Sequence, residues 1–112
     1  MDELEKALFT GIHGSPELKK AEKLQYLGEF RERVLKAITK AEAAAKQLNV
    51  EVEAAINDPR AQAIIIHGDL SAQEYGKYKE LADRRSLDFT IRYDPEFTGD
   101  IGLIVVTDEA VI

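Results

Sequence analysis

The chain has 112 residues, no cysteine, and 45% apolar against 32% charged residues, the proportions of one compact domain that folds without disulfides or cysteine-held metal. Its formal charge of −6 is uneven: residues 1–50 carry nine Lys/Arg and eight Asp/Glu, residues 51–112 six and thirteen. That balance repels phosphate backbones and argues against nucleic acid as a partner, and no apolar run approaches the roughly 20 residues of a membrane span.

Asp2, Glu3 and Glu5 follow Met1 where a secretory leader would be basic and then apolar, so a cytoplasmic protein is expected. A short helix with an acidic first turn begins at Asp2 and is broken by Gly11 and Gly14. Ser15-Pro16-Glu17 reads as a second helix start, with proline at a position where no N–H bond is lost, and Gly28 marks a joint after it. In YLGEFRERVLKAITKAE, Leu27, Phe30, Val34, Ala37, Ile38 and Ala41 recur at three- and four-residue steps, which predicts an amphipathic helix. Glu29–Arg33 and Glu32–Lys36 would then be i,i+4 ion pairs. The same rhythm continues through Ala44, Leu48, Val52, Ala55 and Ile56, as one helix or as two divided near Asn49, and ends at Asp58-Pro59.

After Pro59 the period changes. Ala63 to Ile66 is a short β-branched run suited to a strand covered on both faces. Ser71 and Glu74 form a capping box for a helix to about Arg85, with Tyr75, Tyr78, Leu81 and Ala82 inward. Phe89, Ile91 and Tyr93 alternate with Thr90 and Arg92, the pattern of a half-buried strand whose odd-numbered residues face in. A third apolar strand follows at Gly102 to Val106, and Ala110 to Ile112 add a small edge. Residues 62–93 thus form a βαβ unit with parallel strands. The link from Tyr93 to Leu103 is too short for another crossover helix, so the last strand runs antiparallel. The expected fold is α/β: one domain over residues 1–112, with a three- to four-stranded mixed sheet layered with helices.

These residues resemble the YueI-like family of small uncharacterised bacterial proteins, over roughly residues 3–112. The resemblance is carried by Leu27-Gly28 with Phe30-Arg31-Glu32-Arg33-Val34, by Gly68-Asp69-Leu70, and by Asp100-Ile101-Gly102-Leu103. Members usually read Asn-Gly-acid at the strand tip, so His67 is a departure. The resemblance implies a fold similar to ribosomal kink-turn-binding proteins and trimeric chorismate mutase, and a short strand after the Arg-rich helix. Here that stretch is EAAAK, residues 42–46, which favours helix over an edge strand. No activity is implied, because fold does not carry function.

Candidate chemistry is sparse. His67, Gly68 and Asp69 end a strand of the βαβ unit, where open α/β sheets place ligands, yet glycine, aspartate and the capping Ser71 also make an ordinary strand-to-helix turn. Arg31 and Arg33, with Lys36 and Lys40, are the best anion-binding group, set against a self-paired solvated helix face. Kink-turn binders pair Asn with Glu in a basic setting, whereas Asn49 precedes Val50 among acids, which argues against RNA. Arg84, Arg85 and Arg92 lie among acids and form no cluster for a dicarboxylate substrate. With two histidines, His13 and His67, no zinc spacing arises. The reading is a non-catalytic regulatory or protein-interaction module with no cofactor, no metal and no membrane partner, able to self-associate through a sheet edge. The alternatives are RNA binding, or small-molecule binding or catalysis at the His67–Asp69 tip.

Overall fold

A computed structural model describes residues 16–108, with side chains from Leu18 onward. The helix expected from Asp2, the glycine breaks, His13, the Ser15 cap and the edge at 110–112 lie outside the described residues. The elements in order are α1 (Pro16–Gln25), a 3-10 turn (Arg31–Arg33), β1 (Val34–Thr39), α2 (Lys40–Ala44), α3 (Val50–Ile56), β2 (Ala63–His67), α4 (Ala72–Arg84), β3 (Asp88–Arg92) and β4 (Ile101–Val106).

The four strands form one sheet in the order β1-β4-β2-β3. β2 and β3 are parallel, as the βαβ reading requires, and β4 lies antiparallel between β1 and β2. The Ser71–Glu74 capping box forms at the start of α4, whose Tyr78 and Ala82 are fully buried.

The helix expected across residues 27–41 is a correction. α1 ends at Gln25, Leu27 and Gly28 take positive φ of 55° and 95°, and the chain enters β1 through the 3-10 turn. A β-bulge explains the misleading rhythm. Val34 and Lys36 oppose Val106 and Val105, so β1 carries one extra residue there. Same-face residues then fall three apart: Leu35 and Ile38 pack on one core, Val34 and Ala37 on the other. The first strand therefore lies in VLKAIT, while residues 40–44 are helical and no edge strand forms at 42–46. The two i,i+4 pairs do not form as expected: Glu29 pairs with Arg92, and Lys36 with Glu51. The longer helix after it is two, α2 and α3, with Asn49 capping α3 through Glu51 and Val52 N–H groups.

Helices α2, α3 and α4 cover one sheet face, burying Ile38, Ile64, Ile66, Leu103 and Val105 with Val52, Ile56 and Tyr78. The opposite face holds a smaller core of Val34, Ile65, Ile104 and Val106 under Leu27 and Phe97. In β3 only Phe89 of the expected inward set is half-buried; Ile91 and Tyr93 remain 48% and 66% exposed, because β3 is an edge strand.

Candidate functional site

The strand register brings the ends of β1, β2 and β3 and the start of β4 to one end of the sheet, with Thr39 opposite Ile101, Ile66 opposite Leu103 and His67 opposite Arg92. Thr39 ends β1 because its hydroxyl and the Glu42 carboxylate form the capping box of α2. This delivers Lys40 to the tip of β2, where its Nζ lies 2.9 Å from Asp69 Oδ2. The ammonium, chiefly through that hydrogen bond, holds the Asp69 carboxyl below its ordinary range.

His67 is 5% exposed. The Asp69 backbone N–H donates to its Nδ1 at 2.9 Å, so the neutral ring carries its proton on Nε2. Burial first, then the Lys40 ammonium, push the imidazole below its usual pKa, against a smaller opposing pull from Asp69. The ring meets Tyr93 and Phe97 edge-on, at centroid distances of 6.1 and 5.6 Å. Gly68 donates its N–H to the Arg92 carbonyl, and a Cβ there would lie 2.9 Å from Tyr93 Cβ. The tip is thus a neutral imidazole folded into a turn, beside a carboxylate already engaged by an ammonium.

Phe97 also lines a groove of about 480 Å³ bounded by Lys19, Lys20, Lys23 and Leu24 of α1, by Gly28 and Phe30, and by Asp94. The spacing of the lysines sets them on one side of α1. Lys23 Nζ lies 4.6 Å and Lys19 Nζ 5.6 Å from the Phe30 ring centroid, within cation–π range. Lys20 reaches Glu96 across the rim at 3.8 Å, a pair too exposed to fix either side chain. The Thr98 N–H bond to the Leu24 carbonyl ties α1 to the β3–β4 loop and closes one side of the groove. Its volume falls within the range of small-ligand sites, and it opens beside the carboxyl ends of β2 and β3. Sequence reasoning missed these residues; the available signal was the Lys-Lys-x-x-Lys spacing after a helix-starting proline.

Arg33 stands at the other end of the sheet from His67, Gly68 and Asp69. The Arg33 guanidinium donates to the Asp108 carbonyl at 2.7 Å, and its own carbonyl accepts from Thr107 N–H just past β4. The length of β4, roughly 17 Å at about 3.4 Å per residue, separates this end from the tip. Arg31 anchors the turn through its backbone N–H to the Glu22 carboxylate. Arg84 and Arg85 line one hollow with Asp58, and Arg84 pairs with Glu80 on α4, whereas Arg92 donates to Glu29 and to the Leu27 carbonyl, so Arg92 does not join them. Among the described residues no group of three or more His, Asp or Glu is placed to hold a metal ion, and no helix is long and apolar enough to cross a membrane.

The model of a family described as a protein of unknown function, DUF1694, matches residues 1–112. The uncharacterised protein YueI of Bacillus subtilis (strain 168) is 31% identical over 110 residues, which span 98% of this chain and 83% of YueI. The crystal structure of the Bacillus subtilis YueI protein superposes with a TM-score of 0.80 at 31% identity, covering 99% of this chain and 87% of that one.

Proposed function

We propose, from the premise that this chain belongs to the DUF1694 family of proteins of unknown function, that it is a non-catalytic regulatory domain of the cytoplasm. Its ligand is an anion with a flat apolar body, held in the groove under α1. The observation that carries this reading is the groove itself, lined by Lys19, Lys20 and Lys23 with Phe30 and Phe97, Lys19 and Lys23 lying over the Phe30 ring. Lysines at the rim supply mobile point charges for a phosphate or carboxylate, and the phenyl rings supply a dry surface for the rest of the ligand. The engaged state of His67 and Asp69 supports binding over catalysis. A general base needs a reachable lone pair, and His67 Nδ1 already accepts from the Asp69 N–H.

Phenyl phosphate is a suitable probe. Titrated into the ¹⁵N-labelled protein, it is expected to give saturable shifts on Lys19 to Leu24, Phe30 and the Asp94–Phe97 loop, weakened at least fivefold by Lys19→Ala with Lys23→Ala. Scattered or unsaturable shifts, or equal affinity in the double variant, overturn the reading. Strongly salt-dependent binding to a folded RNA, lost with Arg31→Ala and Arg33→Ala, would replace it with RNA recognition.

A further inference from the structure

The two edges of the sheet are built differently. β1 carries a bulge beside Lys36, both of which discourage pairing with another chain. β3 has no bulge: it is regular, its register with β2 is unbroken from Asp88 to Arg92, its two charged residues are of opposite sign, and β2 is its sole partner strand among the described residues. The Asp88 N–H donates to the Gln62 carbonyl and the Gly68 N–H donates to the Arg92 carbonyl, which fixes the parity of the strand. Asp88, Thr90 and Arg92 turn their backbone groups toward β2, so Phe89 and Ile91 turn theirs outward to the open edge.

That edge is complementary to itself. We infer that β3 pairs antiparallel with β3 of a second copy of this chain, about a two-fold axis at Thr90, to give a continuous eight-stranded sheet. In this register Asp88 faces Arg92 of the second copy and Arg92 faces its Asp88, on one sheet face; Arg92 Nη1 is held by Glu29 and the Leu27 carbonyl of its own chain, so the carboxylate meets the other guanidinium nitrogens. Phe89 faces Ile91 of the second copy, and Ile91 its Phe89, on the other face. Thr90 meets its own counterpart. Each is a favourable cross-strand pair: opposite charges, aromatic with β-branched, and threonine with threonine. The outward groups of Phe89 and Ile91 then become the hydrogen-bonded pairs, while Thr90 sits in a non-hydrogen-bonded pair, as antiparallel geometry demands. The pairing also covers Ile91, which is 48% exposed in the single chain. A slip of one residue either way sets Asp88 against Tyr93 or Ile91 and Arg92 against Phe89 or Leu87, and opposes outward backbone groups to inward ones, so charge and backbone parity select the register together.

The chain lacks cysteine, which permits a direct test. At the two-fold axis the Thr90 Cα atoms would stand about 4.5 Å apart, within disulfide reach, whereas Asp88 lies far from its own counterpart. Sedimentation is expected to show concentration-dependent doubling of the chain mass. Under mild oxidation Thr90→Cys should give a reductant-sensitive covalent dimer at least tenfold faster than Asp88→Cys. Ile91→Pro removes an outward N–H together with the side chain that faces Phe89 of the second copy, and should yield a monomer with the parent's circular dichroism; if that variant fails to fold, the cysteine pair decides alone. A mass that stays monomeric at all accessible concentrations overturns the inference. So does a dimer in which Thr90→Cys crosslinks no faster than Asp88→Cys.

Discussion

An alanine at Gly102 would test the closest approach in the fold. A Cβ at this position would lie 2.6 Å from Lys40 Cα and 3.0 Å from Lys40 N. Carbon atoms pack comfortably at about 3.5–4.0 Å, so roughly 1 Å must open between β4 and the start of α2. Neither side yields easily, since β4 is an inner strand and the Lys40 N–H is held 2.7 Å from the Asp100 carbonyl. Overpacking typically costs about 1–3 kcal/mol, and an obstacle made of backbone sets the expectation near the top, about 3 kcal/mol. The stiffer unfolded chain returns only about 0.4–1 kcal/mol. The net loss of about 2–2.6 kcal/mol, at a urea slope of about 1.5 kcal/mol/M, should lower the midpoint by roughly 1.5 M in unfolding followed by circular dichroism. Gly76→Ala is the matched control. It lies within α4, its Cβ would meet nothing within 4 Å, and the exchange should stabilise by about 0.5–1 kcal/mol. Midpoints that move in the same direction for both alanines, or a Gly102→Ala protein within about 0.5 kcal/mol of the parent, would refute the packing reasoning.

The buried Tyr78 hydroxyl accepts the Asn49 N–H at 3.0 Å, so Tyr78→Phe should cost about 1–2 kcal/mol in urea unfolding. The loss should be non-additive with Asn49→Ala, which removes the cap of α3. His67 binds a proton more weakly in the folded protein than at its ordinary 6.5. The neutral ring's contribution to stability is therefore complete above that value and lost as pH falls below it, and His67→Asn should flatten the dependence below that value. Lys40→Ala should raise the titration of His67 and of Asp69 together, observable by NMR, because the ammonium depresses both. An unmoved His67 would show that burial alone sets it.

Much of the sheet was legible in the residues. The apolar run Ile64–Ile66, the Ser71–Glu74 box and the short link after Tyr93 were enough for two parallel strands and an antiparallel last one. β1 was not, since its bulge puts Leu35 and Ile38 three apart on one face, the spacing of a helix. Ile91 and Tyr93 alternate with the polar residues, but alternation cannot say that their strand has a neighbour on one side alone. The tip could be read as a turn because Gly68, Asp69 and Ser71 are local signals. The groove could not, because Lys19, Phe30 and Phe97 meet only through the α1 contact with the β3–β4 loop.

The place of β4 has a bearing on how the chain is made. It is the last described strand to leave the ribosome, yet it is the one described partner of β1 and the link between β1 and the β2–β3 pair. A nascent chain halted before Ile101 holds β1 as an orphan, with no described strand to pair with it. Native closure of the sheet must therefore wait until β4 has been synthesised, and until then the unpaired β1 is a natural client for chaperones.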